Sequence, residues 1–254
     1  MDLKKARILL TNDDGVNAHG INLLKKIITP LCPDVWVIAP ESEQSAKSHA
    51  LTIHRPLRKK QLSEKTYAVS GTPTDCVIMG VHHILADQKP TLILSGINHG
   101  INLAEDVHYS GTVAAAFEAT MLGIPAIALS FESTHNQVEH WEMVEHYLPI
   151  IIHKLIKDGW PRGILINVNF PNTKTEDIKG IYITQQGQRD AGFSLVHTPD
   201  PRGFPYYWIS GYEEPKTGAP NSDLIAIEEN AISITPLSVD LTHQQTYLEL
   251  KKRF

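Results

Sequence analysis

The chain has 254 residues, 42% of them hydrophobic and 20% charged, with a formal net charge of -5. Without a long basic block this balance argues against a nucleic-acid polymer as partner, and without any run of 18 apolar residues no transmembrane helix and no membrane partner are expected. The opening Met1-Asp2-Leu3-Lys4-Lys5 has no secretory apolar stretch, and the only two cysteines, Cys32 and Cys76, lack metal-ligand spacing, so a reduced, cytoplasmic protein is expected.

In chain order, Ile8-Leu9-Leu10-Thr11 reads as a buried parallel strand, being apolar, continuous and unalternating. Residues 20–28 place Ile21, Leu24 and Ile28 on one helical face. Residues 35–39 form the next strand, stopped by Pro40, and residues 41–49 a polar loop. The basic run Arg55-Pro56-Leu57-Arg58-Lys59-Lys60 reads as a solvated loop, and residues 67–69 as a short strand. Thr72-Pro73-Thr74-Asp75 is a helix start, with Thr72 as N-cap, Pro73 at the first helical position and Asp75 closing a capping box. Residues 91–94 form a strand that runs into a loop at Ser95, residues 112–122 an alanine-rich helix stopped by Gly123, and residues 126–129 another strand. Residues 138–157 are helical in pattern, with Pro149 expected to kink or split them, and residues 164–168 are strand-like. From about Gly180 the pattern becomes hairpin-like, around residues 181–184, 206–209 and 232–234, with a proline-rich loop over 198–205. Strands alternating with helices predict βαβ units and a mostly parallel α/β sheet.

Three loops follow predicted parallel strands and would open on one edge of that sheet, where α/β proteins bind ligands. The first supplies Asn12, Asp13 and Asp14, the second Ser45, the third Ser95, Asn98 and Asn102. Two adjacent carboxylates are costly to desolvate without a cation. With a hydroxyl and an amide oxygen they make an all-oxygen set that suits Mg²⁺, Mn²⁺ or Ca²⁺ rather than zinc. The competing reading is an Asx-rich turn capping the following helix. Tyr109-Ser110-Gly111-Thr112, directly before the alanine-rich helix, is either an anion site at a helix N-terminus or an ordinary Ser/Thr N-cap. His99 and His108 lie in these loops as further candidates for substrate contact.

Two other functions fit poorly. A phosphoacceptor signalling module would need an Asp at the end of a later strand, where this chain has Pro40-Glu41 and Ser70-Gly71. A dinucleotide enzyme would need Gly-x-Gly-x-x-Gly after the first strand, where Asn12-Asp13-Asp14-Gly15 would repel a pyrophosphate.

The segments Thr11-Asn12-Asp13-Asp14-Gly15, Ser95-Gly96-Ile97-Asn98-His99-Gly100-Ile101-Asn102 and Tyr109-Ser110-Gly111-Thr112-Val113-Ala114-Ala115-Ala116 resemble the signature of the SurE family of survival proteins. Ala39-Pro40-Glu41 leading to Ser45, Gly71-Thr72-Pro73-Thr74-Asp75-Cys76, residues 200–208 and Ile232-Ser233-Ile234-Thr235-Pro236-Leu237 extend the likeness over nearly the whole chain. The resemblance implies a Rossmann-like, mostly parallel sheet flanked by helices as one domain over residues 1–254, with a C-terminal β-hairpin arm within about residues 180–230 that swaps between subunits of a homodimer, or of a tetramer. It implies a 5′- and 3′-nucleotidase acting on nucleoside monophosphates, and on short polyphosphate in some members, with one Mg²⁺ or Mn²⁺ per subunit. The metal ligands then fall on Asp13, Asp14, Ser45 and Asn98. Asp13, Asp14 and Asn12 are the catalytic residues, and Asn12, Asn102, Ser110, Gly111 and Thr112 hold phosphate. Departures from the family pattern at Ile101, Ala119 and Asn230-Ala231 touch none of the implied ligands.

Overall fold

The computed structural model describes residues 1–133, 138–189, 193–212 and 219–254. Its first half is built from β1 (Arg7–Thr11), α1 (His19–Ile28), β2 (Asp34–Pro40), β3 (Lys59–Ser63), β4 (Thr66–Val69), α2 (Pro73–Met79), β5 (Leu92–His99), α3 (Gly111–Met121) and β6 (Ala126–Phe131). The rest adds α4 (Trp141–Asp158), β7 (Ile164–Phe170), β8 (Ile181–Ile183), β9 (Phe193–Pro199), β10 (Pro205–Tyr212), α5 (Asp223–Glu228), β11 (Ile232–Ser238) and α6 (Gln244–Arg253). A nine-stranded sheet runs in the order β3-β4-β2-β1-β5-β6-β7-β11-β8. Strands β4, β2, β1, β5, β6 and β7 are mutually parallel, while β3 and β11 pair antiparallel to β4 and β7. The fold is therefore α/β with a mostly parallel sheet, and no helix among the described residues is long and apolar enough to cross a membrane.

The parallel strands read as unbroken apolar runs because both faces are covered. On one face Ile8, Leu10 and Phe131 pack with Ile21 and Leu24 of α1 and Leu148 and Ile152 of α4. On the other, Leu9, Ile93 and Ala128 pack with Cys76 and Val77 of α2 and Ala115, Ala116 and Ala119 of α3. The small side chains of α3 let it lie close to the sheet, which brings its N-terminus beside the end of β1. The Thr72–Asp75 capping box forms as expected: Thr72 Oγ1 accepts from the Asp75 N–H (3.1 Å), and the Asp75 carboxylate from the Thr72 N–H (2.9 Å).

Four local expectations are corrected. Helix α4 is not split at Pro149 but continues past it as one element. An interior proline costs about 3 kcal/mol, but six buried side chains on the apolar face of α4 stabilise it by roughly 1.5–3 kcal/mol each. Lys59 and Lys60 open an exposed edge strand rather than a loop; lysines on an edge discourage pairing with another chain. Strand β5 continues past Ser95 to His99, with a register shift against β6 between Ser95 and Asn98. Gly96 makes this possible: its φ is +137° and a Cβ there would lie 2.3 Å from the Leu129 carbonyl oxygen. Finally, residues 181–183 and 232–238 are not hairpin strands. β8 and β11 extend the main sheet in parallel with each other, and only β9 and β10 form a separate antiparallel hairpin.

Candidate active site

The strand order reverses at β1, whose neighbours are β2 and β5. A cleft of about 680 Å³ opens there, at the carboxyl ends of the strands. Asp13, Asp14, Ser45, Asn98, Asn102 and Ser110 all line it, so the three predicted loops converge on one site. Asn12, Gly111 and Thr112 are buried behind its wall. His108 lies outside, on a separate groove with Phe117 and Leu241.

Asp13 is only 4% exposed, and its Oδ1 accepts a hydrogen bond from Thr112 Oγ1. Burial pushes its carboxyl up to about 6; the Thr112 hydroxyl opposes that rise and the neighbouring charge of Asp14 adds to it. Asp14 is also raised, by burial, although its Oδ2 accepts the His99 backbone N–H (3.2 Å). Gly111 stands where it does because of Asp13: a Cβ would sit 2.9 Å from Asp13 Cβ and 3.0 Å from Oδ2. Ser110 caps α3 by accepting the Val113 N–H (3.1 Å), and its own O–H remains free to donate. Asn12 Nδ2 donates to the Gly15 carbonyl (2.9 Å), while its buried Oδ1 has no hydrogen-bond partner among the described residues. Asn98 Nδ2 donates to the Gly100 carbonyl (2.8 Å), and Ser45 Oγ to Glu43 Oε1 (2.8 Å).

Asn102 is held by a network that the sequence pattern did not reveal. Its backbone N–H donates to Asn169 Oδ1 (2.7 Å), its carbonyl accepts from Asn167 Nδ2 (2.8 Å) and Asn169 Nδ2 (3.1 Å), and its Nδ2 donates to Ser130 Oγ (2.8 Å). Two asparagines, Asn167 and Asn169, inside an otherwise apolar strand pattern were the available signal. Glu43, Asp106, Glu139, His19 and Trp141 also line the cleft and were not anticipated. Asp106 is met from behind by Arg189 (2.8 Å), and Glu139 by His99. Burial pulls the Glu139 carboxyl upward, but bonds from His99 and Trp141 outweigh it and hold it below its ordinary value.

No Lys or Arg among the described residues lines the cleft, so Asp13, Asp14 and Glu43 have only the His99 charge beside Asp14 to offset theirs. A phosphate ester could not approach two adjacent, desolvated carboxylates unaided. No three His, Cys, Asp or Glu side chains among the described residues are grouped to hold a metal. The donor set is instead mixed, with two carboxylates, a hydroxyl and an amide oxygen, which fits a hard divalent cation.

Residues 8–192 match the family model "Survival protein SurE". The chain is 51% identical over 253 residues to a protein of Paramagnetospirillum magneticum named 5′-nucleotidase SurE, covering 100% of this chain and 97% of that one. It is 51% identical to the protein of the same name from Parvibaculum lavamentivorans, over 96% of this chain and 89% of that one, and 47% identical to that from Brucella suis, over 96% of each. The crystal structure of the SurE protein from Aquifex aeolicus superposes with a TM-score of 0.85 at 40% identity, covering 97% of this chain and 98% of that one.

Proposed function

The chain belongs to the SurE survival-protein family, and we propose that it is a 5′-nucleotidase that hydrolyses nucleoside 5′- and 3′-monophosphates, and short polyphosphate, with one Mg²⁺ or Mn²⁺ per subunit. One observation carries this reading: a buried carboxylate, Asp13, next to the half-buried Asp14 at the switch point of the sheet, in a cleft that no Lys or Arg among the described residues lines. Asp13, Asp14, Ser45 and Asn98 would hold the cation, which supplies charge neutralisation at the phosphate and lowers the pKa of a water.

The chain's own groups do the rest. Thr112 keeps Asp13 oriented and favours its charged form. Gly111 leaves room for that carboxylate, and the backbone N–H groups of Gly111 and Thr112, at the N-terminus of α3, would also hold phosphate. The Ser110 hydroxyl and the second N–H of the Asn102 amide, both on the cleft, would donate to the phosphate oxygens near the N-terminus of α3. Asn12, next to Asp13 in the chain and with its buried Oδ1 unpartnered among the described residues, would orient the phosphate or the attacking water, which displaces the nucleoside oxygen in line. The exposed apolar side chains of the hairpin, among them Leu195, Tyr207, Trp208 and Ile209, support an arm covered by a second copy in a homodimer. The two buried free thiols, Cys32 and Cys76, suit the cytoplasm.

The test is phosphate release by chelator-stripped protein from 5′-AMP, 3′-AMP and tripolyphosphate, with Mg²⁺ or Mn²⁺ restored. Turnover should require the metal and fall at least a hundredfold in Asp13→Ala and Asp14→Ala while both variants stay folded. Full turnover in either variant removes the assignment.

A further inference from the structure

Past the carboxylates the cleft is walled by aromatic side chains that the phosphate chemistry does not use. Its volume of about 680 Å³ is roughly twenty times a water molecule's share of liquid, far beyond what a phosphate group fills. Trp141, the first residue of α4, lies against the fully buried Phe131, with ring centroids 4.2 Å apart and planes 29° apart. His99 lies 6.2 Å from it and within 19° of parallel, and His19 meets it edge-on at 4.9 Å. Glu139 fixes this arrangement with both carboxylate oxygens: Oε2 accepts from Trp141 Nε1 (2.9 Å), while Oε1 bonds His99 Nε2 and accepts from Ser133 Oγ (3.3 Å). The indole is thus held from behind and the imidazole is held parallel to it, yet the His99 side chain remains 51% exposed.

The position of this shelf matters as much as its flatness. His99 follows Asn98 directly, and its backbone N–H donates to Asp14 Oδ2 (3.2 Å). His99 and Trp141 are therefore within reach of the rest of a molecule whose phosphate lies beside Asp13 and Asp14.

Resting on the nucleotidase reading above, we propose that His99 and Trp141 form a stacking platform for the substrate's nucleobase, with Glu139 as the residue that positions it. The platform makes the chain prefer phosphomonoesters bearing a flat ring over small aliphatic ones. It recognises the base by its face, so purines and pyrimidines are both accepted.

The experiment compares KM and kcat for AMP and for glycerol 2-phosphate, with Mn²⁺, in the wild type, His99→Ala, Trp141→Leu and Glu139→Gln. Loss of one stacking partner should raise the ratio of the AMP KM to the glycerol phosphate KM about tenfold in His99→Ala and Trp141→Leu. Glu139→Gln should raise it less, and kcat should move less than the AMP KM throughout. His99→Ala decides the matter should Trp141→Leu fail to fold, because its side chain is half exposed and its backbone bond to Asp14 survives. An unchanged ratio in His99→Ala, whether both constants rise together or neither moves, overturns the platform. Absence of wild-type turnover on AMP overturns the nucleotidase reading itself, and is told apart because it precedes any variant; should AMP alone be turned over, the platform stands or falls on whether the AMP KM rises about tenfold in His99→Ala.

Discussion

The metal-free protein should be stabilised by removing the charge most central to the site. Asp13 is 4% exposed with its carboxyl raised to about 6, against 3.8 for the unconstrained group. The folded chain thus holds that proton more tightly than the unfolded chain does. The resulting stability is fully present below about pH 3.8 and is lost as pH rises through 6. At 1.36 kcal/mol for each tenfold change, the loss is about 3 kcal/mol. Asn is nearly isosteric, still accepts from Thr112 and cannot ionise. In excess chelator at pH 8, Asp13→Asn should therefore exceed the wild type by up to about 3 kcal/mol, or roughly 6–12 °C in Tm for a chain of this size. The gap should close by pH 4. Saturating Mn²⁺ should reverse the order at pH 8, because binding stabilises only the chain that binds. Thermal unfolding followed by circular dichroism at pH 4, 6 and 8, with and without metal, reads all of this. A chelated Asp13→Asn that is less stable than the wild type at pH 8, by an amount independent of pH, would refute the reasoning.

Other consequences bear on neighbouring groups. Gly111→Ala puts a Cβ within 3.0 Å of both Asp13 Cβ and Oδ2, so Mn²⁺ affinity measured by calorimetry should fall at least tenfold while the far-ultraviolet spectrum is unchanged. Asn169→Leu leaves the buried Asn102 N–H without its acceptor; urea denaturation should record a loss of about 1–3 kcal/mol, and kcat for AMP should drop as Asn102 loosens. Replacing residues 190–218, which span β9 and β10, by a short glycine-serine turn should convert a dimer to a monomer in light scattering, and a persisting dimer would exclude the hairpin as the swapped arm.

Much of the architecture was legible because it rests on local rules. Short unbroken apolar runs such as Ile8-Leu9-Leu10, closed by turn residues, fit strands covered on both faces, and Thr72-Pro73-Thr74-Asp75 announces its helix through backbone satisfaction alone. The failures have a common source in tertiary packing. Pro149 is tolerated because six buried side chains outweigh one missing bond, and Ile181–Ile183 becomes a sheet strand only because β11 lies beside it. At the site, Asp13, Asp14, Ser45, Asn98 and Asn102 could be grouped from strand ends alone. Glu139, Trp141, Asn167 and Asn169 reach the cleft or its wall from α4, its approach and β7, distant in sequence and without a motif. The roles of Gly111 and Thr112 also depended on coordinates, since nothing in Ser110-Gly111-Thr112 says that a carboxylate 98 residues earlier lies against it.

The most direct measurement is anomalous diffraction at the manganese edge from crystals soaked in Mn²⁺. A divalent cation gripped by Asp13, Asp14, Ser45 and Asn98 predicts one strong peak per chain among those oxygens, absent from Asp13→Ala crystals. No peak in that cleft, or an equal peak after the substitution, would contradict it.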